Sequence, residues 1–264
     1  MWALSPDDQK IYAHEMEVFA GFLAYTDHEV GRLINAIDQI GELDNTLVFY
    51  IVGDNGASAE GGLAGSVNEL KVFNKVPESR EQLLASLNDL GSPKTFNHYH
   101  AAWAWAGTTP FQWTKQIASH FGGTRNPLII AWGDRIKDQG GLRSQFHHVI
   151  DITPTIFEAA GITAPTKVNG VKQQKIEGTS LVYTFDDSEP ASERKTQYFE
   201  MFGNRAIYNN GWIAAGRIEK TLPYRLALNE TFDVGRDTGT PIVETYQVPF
   251  AFTGNLQKVT LNLK

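Results

Sequence analysis

Apolar residues at Ile11, Met16, Phe19, Leu23, Val30, Leu33, Ile34, Ile37 and Ile40 recur at the spacing of one helical face. Ser5 stands where a cap is needed, Pro6 fits the first helical position, and Asp7 and Asp8 complement the positive end of the dipole. Gly41 offers the stop. The pattern is long for one helix, so a kink near Gly21 or Gly31 is one expectation. The next pattern is different. Leu47-Val48-Phe49-Tyr50-Ile51-Val52 is an apolar run without alternation, which predicts a strand covered on both faces, as inside a parallel sheet. A helix followed by a buried strand is half of a crossover unit.

Further along, residues 77–90 read as a helix stopped by Gly91-Ser92-Pro93. Residues 127–132 form a second buried-strand candidate, ended by Gly133-Asp134. In Asp151-Ile152-Thr153-Pro154, Thr153 is placed to cap and Pro154 to open a helix running to Ala160. From Gln197 the character changes to short strands, at 197–202, 205–209 and 212–216, separated by Gly-Asn and Asn-Asn-Gly turns, a β meander. Residues 242–253 and 256–263 suggest a closing hairpin through Gly254-Asn255. The chain therefore divides into an α/β part, 1–196, and a β-rich part, 197–264.

Composition narrows the function. Over 264 residues, 23 basic and 30 acidic side chains leave a net charge of −7, with the two signs interspersed. That argues against nucleic acid as a partner, because phosphate binding needs a basic face. Hydrophobic content of 42% with 11% aromatics is globular, and no apolar run approaches a membrane span. There is no cysteine, which excludes disulfides and thiolate metal sites and leaves the compartment open. Residues 2–9 are neither basic nor followed directly by an apolar core, so no signal peptide is expected.

The chemistry concentrates where the first apolar run meets Gly53-Asp54-Asn55-Gly56. In open α/β sheets ligands bind beyond the carboxyl ends of strands, and a carboxylate beside an amide oxygen suits a hard cation, Ca²⁺ or Mg²⁺. Asp-Asn-Gly is also a strong turn former, and such a stretch can simply reverse the chain. Lys115, by composition alone, is a solvated side chain. It sits, however, between a Thr-Pro turn and a Gly-Gly turn among Phe111, Trp113 and Phe121. His98 and His100 have the His-x-His spacing of a metal strand, but beside large aromatics they read as packed or surface histidines. His147 and His148 are adjacent, so their side chains diverge and a shared ion is not expected. Asp151 reads as structural.

Asp54-Asn55-Gly56-Ala57-Ser58-Ala59-Glu60-Gly61 resembles the metal-binding strand end of arylsulfatases. The resemblance continues through 109–116, through His120-Phe121-Gly122-Gly123-Thr124-Arg125-Asn126, through 151–156, and into the tail at 230–241. It implies an alkaline-phosphatase/sulfatase-like mixed sheet flanked by helices, with a small β-rich C-terminal portion. It further implies a sulfuric ester hydrolase acting on a small-molecule sulfate ester, with Asp54 and Asn55 as ligands of a divalent cation (Ca²⁺ or Mg²⁺). Lys115 then corresponds to the lysine that contacts the sulfate, and His120 stands where a nearby donor, or a brace for the turn, is expected. The physical need for Lys115 is that ester cleavage moves negative charge onto sulfate oxygens, which a fixed ammonium stabilises.

The family also carries Cys/Ser-x-Pro-Ser/Ala-Arg, whose first residue becomes the nucleophilic formylglycine. That motif has no counterpart here. Ser188-Glu189-Pro190-Ala191 is followed by Ser192 rather than arginine, lies after the Asp-Asn pair, and reads as a solvated acidic loop. The passage after Lys220 is also shorter than the resemblance implies. The expectation is therefore a C-terminal sulfatase part that supplies metal- and sulfate-binding residues, with a missing N-terminal half as its partner. The alternatives are a non-catalytic anion- or partner-binding fragment and a phosphate or phosphonate ester hydrolase of the same superfamily.

Overall fold

The structure, a computed structural model, describes residues 4–217 together with 236–237, 250–251 and 253. Helix α1, Pro6–Gln39, runs for 34 residues without interruption at Gly21 or Gly31. Its start is fixed as the sequence predicts. The Ser5 hydroxyl accepts from the Asp8 N–H at 3.2 Å, and the Asp8 carboxylate accepts from the Ser5 N–H at 3.3 Å, a reciprocal capping box. Arg80 closes over this cap, pairing with Asp8 and Ser5.

Beyond a Gly-rich loop come two short helices, α2 (Glu69–Phe73) and α3 (Arg80–Ala85). The helix predicted over 77–90 is thus shorter. Ser79 and Gln82 form a second capping box that sets its start, and after Ser86 the chain tightens into a single 3₁₀ turn at Leu87–Asp89. The apolar faces of these pieces meet α1 in a cluster of Ile11, Leu83, Leu87 and Leu90, flanked by Tyr12, Val18, Val67 and Leu84.

Only the first half of α1 takes part in that cluster. At about 100° per residue, Ile11, Val18, Phe22, Leu33 and Ile40 fall within about 60° of one another, a single apolar stripe. Ile11 is buried, whereas Phe22 and Leu33 are each 62% exposed and Ile40 is 73% exposed. The bare part of the stripe, from Phe22 to Ile40, extends about 27 Å.

Strand β1, Val48–Ile51, pairs with β2, Leu128–Ala131, in antiparallel register from Val48↔Ala131 to Ile51↔Leu128. This corrects the expectation of a parallel strand covered on both faces. Among the described residues each strand has one partner, and Ile51, Val52 and Ile129 remain exposed. Between them lie α4 (Ala101–Thr108) and α5 (Phe121–Thr124).

Helix α6, Ile152–Ala159, begins before the predicted cap. Thr153 lies inside it, because a 3₁₀ turn at Val149–Asp151 feeds straight into the helix. That turn is closed by the His148 N–H, which donates to Asp151 Oδ2 at 2.8 Å. A small hairpin that the sequence reading did not anticipate follows, β3 (Lys167–Val168) and β4 (Val171–Lys172).

The meander appears as expected, β5 (Thr196–Met201), β6 (Asn204–Asn209) and β7 (Trp212–Arg217). Its turns, Phe202-Gly203 and Asn210-Gly211, hold both residues at positive φ, the geometry that matches the twist of paired strands. Phe146 stacks on Tyr208 with ring centroids 3.7 Å apart. A short antiparallel pair joins β8 (Arg236–Asp237) to β9 (Phe250–Ala251). Of the hairpin expected over 242–263, all but residues 250–251 and 253 lies outside the described residues.

Candidate anion and metal site

The loop leaving β1 is clamped onto the loop before β2. The Gly56 N–H donates to the Gly123 carbonyl at 3.1 Å, and the Lys115 N–H donates to the Ala57 carbonyl at 3.0 Å. The Asn126 side chain donates to the Asn55 carbonyl at 2.7 Å. The contact is close enough that a Cβ at Gly56 would overlap the Gly122 carbonyl, so glycine is required for steric reasons. Asp54, Asn55 and Lys115, far apart in sequence, therefore belong to one loop cluster.

Asp54 is exposed and Asn55 half-buried, with Asn55 Nδ2 donating to Asp54 Oδ1 at 2.8 Å. These are hard oxygen donors of the kind Ca²⁺ and Mg²⁺ take, and they stand at a strand end in a solvent-facing loop. They fit part of a cation site. Six to eight ligands are needed for Ca²⁺, and among the described residues no group of three His, Cys, Asp or Glu side chains converges to complete one.

The Lys115 ammonium, on a side chain still a third exposed, joins a polar network that the sequence reading missed. Its Nζ donates to Glu60 Oε2 at 2.7 Å. Gln116 Nε2 donates to Glu60 Oε1 at 2.8 Å, and the Ser58 hydroxyl donates to Oε2 at 2.6 Å. Behind Ser58 stands His98, whose Nε2 lies 3.0 Å from the hydroxyl and whose Nδ1 donates to the Tyr99 carbonyl at 2.8 Å. Burial by itself would raise the Glu60 carboxyl. The hydrogen bonds from Lys115 and Ser58, with the Lys115 charge, outweigh it and hold the group below the ordinary glutamate value. Nothing local marks Glu60 or His98 in the sequence, since the partners come from three separate stretches.

His120 sits at the start of α5, 5% exposed. Burial pulls its pKa down to about 4, so the ring is neutral at physiological pH. Its Nδ1 meets the Ser119 hydroxyl at 2.8 Å, its Nε2 is buried without a partner among the described residues, and the ring packs against Trp113. Arg125 lies over the Phe111 ring at 4.7 Å, a cation–π contact that ties the ends of this loop together.

His100 caps α4 by accepting from the Ala102 N–H at 3.0 Å and lies 4.0 Å from Tyr12, edge to face. Burial lowers the pKa of both His147 and His148.

A carboxylate beside an amide, a paired lysine and a neutral histidine on facing loops form a setting for an oxyanion and a hard cation. A family model described as Sulfatase matches residues 3–162. An uncharacterized sulfatase of Schizosaccharomyces pombe is 33% identical over 215 residues, covering 80% of this chain and 37% of the relative. An arylsulfatase of Klebsiella aerogenes is 30% identical over 160 residues, covering 61% of this chain and 32% of the relative. The matches span about a third of the length of these relatives. The chain belongs to the sulfatase family.

Proposed function

We propose that this chain supplies the cation- and sulfate-binding portion of a sulfuric ester hydrolase of the arylsulfatase type. The observation that carries the reading is the clamp between the 54–60 loop and the 112–126 loop, which brings Asp54 and Asn55 into one cluster with Lys115. In this reading Asp54 and Asn55 hold a divalent cation, Ca²⁺ or Mg²⁺, with oxygen ligands from outside the described residues. The cation supplies charge to bind and polarise the sulfate oxygens. Lys115 directs its ammonium at the sulfate and stabilises negative charge as the ester bond breaks. His120, neutral and buried, braces the loop that carries Lys115.

The sequence contains no cysteine and no Cys/Ser-x-Pro-Ser/Ala-Arg stretch, so the nucleophile comes from elsewhere. The partner in this reading is further sulfatase-type polypeptide. Two features of the fold suit it: the apolar stripe of α1, packed at Ile11 and bare from Phe22 to Ile40, and β1 and β2, whose Ile51, Val52 and Ile129 stand exposed.

The test is calorimetric titration of the purified chain with Ca²⁺, Mg²⁺ and inorganic sulfate, beside hydrolysis of a chromogenic aryl sulfate and an aryl phosphate. The expected result is cation binding lost in Asp54→Ala, sulfate binding lost in Lys115→Ala, and negligible turnover by the chain alone. Turnover of either ester that survives Asp54→Ala and Lys115→Ala would overturn the reading.

A further inference from the structure

We infer that Glu60 is the positioning residue for Lys115, a carboxylate pinned by Ser58 and Gln116 that fixes the direction of the ammonium. The inference rests on the reading of Lys115 as the sulfate contact and adds what makes that contact effective. Lysine reaches its target on four flexible methylenes, and an unrestrained ammonium loses considerable rotamer freedom when it engages a ligand. Here that freedom is removed in advance. Both Glu60 oxygens are occupied by donors: Oε2 by Lys115 and Ser58, Oε1 by Gln116. The carboxylate therefore cannot swing to follow the lysine, and the lysine must come to it.

The support extends one layer further. His98, held by the Tyr99 carbonyl, lies on the far side of Ser58 with Nε2 3.0 Å from the hydroxyl oxygen and limits where that side chain can move. Lys115 is held from the other end as well, since its own N–H is tied to Ala57, two residues before Ala59 on the Glu60 loop. An ammonium carries three protons. One is spent on Glu60, which leaves two for sulfate oxygens.

A negative carboxylate next to an anion site has two opposite consequences, and this makes the inference testable. By Coulomb's law alone Glu60 repels sulfate, so Glu60→Gln should tighten sulfate binding. If Glu60 positions Lys115, the same substitution should loosen it. We expect the second. Titration of the full chain with inorganic sulfate should show Glu60→Gln about fivefold weaker than the native chain, and Ser58→Ala weaker by about twofold to threefold. Glu60→Asp keeps the charge with a shorter reach and should fall between. The ζ-ammonium NMR signal of Lys115 should show faster side-chain motion in Glu60→Gln, a readout that general loss of stability would not produce in a variant whose melting temperature is unchanged.

Ser58→Ala, a milder change, keeps the test open if Glu60→Gln fails to fold. The arms separate the two ideas. Sulfate binding unchanged in Lys115→Ala overturns the sulfate-contact reading and this inference with it. Binding lost in Lys115→Ala but unchanged or tightened in both Glu60→Gln and Ser58→Ala leaves that reading standing and overturns the positioning role.

Discussion

The guanidinium of Arg194 lies against the carboxylate of Asp151, with Nε 3.0 Å from Oδ1 and 2.9 Å from Oδ2. Asp151 is fully buried and also accepts from the N–H groups of Thr179 at 2.7 Å and His148 at 2.8 Å. The pair ties the start of α6 to the segment that enters β5. Removing one partner strands the other charge away from water, so Arg194→Met should destabilise the chain by about 3–5 kcal/mol. Urea unfolding measures this, and a loss below about 1 kcal/mol would show that water reaches Asp151 in the variant.

Glu15 gives the chain a pH dependence of a definite sign. The side chain is 1% exposed in α1, one oxygen accepting the His100 N–H at 3.1 Å and the other unpartnered among the described residues. Burial pushes its pKa from 4.5 up to about 8. Between these values the folded chain holds a proton that the unfolded chain has released, so this group's contribution to stability falls as pH rises and levels off above about 8. The expected loss is on the order of a few kcal/mol. Glu15→Gln keeps the acceptor and removes the charge. Melting temperatures from pH 5 to pH 9 should slope downward for the native chain and flatten in the variant; parallel slopes would refute the assignment to Glu15.

The clamp beside the candidate site leaves no room for a methyl group. Gly56→Ala places Cβ on the Gly122 carbonyl, and a backbone atom cannot step aside as a flexible side chain would. We expect a loss of about 1–3 kcal/mol, accompanied by weaker Ca²⁺ binding as the 54–60 loop lifts from the 112–126 loop. Chemical denaturation and Ca²⁺ titration together check this, and a variant with native stability and native affinity would mean that the two loops are not in fixed contact.

Leu33, in contrast, is in the bare section of the α1 stripe, 62% exposed among the described residues. Leu33→Ser combined with Phe22→Ser should change stability by no more than about 0.5 kcal/mol at each site. The same pair should lower binding of an apolar dye and any self-association seen in light scattering, because it removes two large apolar side chains from an exposed stripe. A drop in melting temperature comparable to that of a core truncation would place these residues in the core instead.

Local signals in the sequence determined a good deal. The Ser5–Asp8 cap and the long apolar period specified α1, because capping and helical spacing are written within a few residues of each other. The turn residues Gly203 and Asn210-Gly211 specified the meander, since positive φ is a property of single positions. The stretch from Asp54 to Gly61 pointed to the family for the same reason: it is contiguous. What depends on distant residues was not legible. The antiparallel partner of β1 lies far downstream, in register at Val48↔Ala131, and an apolar run does not encode the direction of its neighbour. Glu60 is one acidic residue among 30, and only the folded chain brings Ser58, Lys115 and Gln116 onto its carboxylate with His98 behind. The burial of His120 and Glu15, which moves their pKa values in opposite directions, likewise belongs to packing. Charge and hydrogen bonding at a site are set by what surrounds a residue in space, and that surrounding was decided by the tertiary structure.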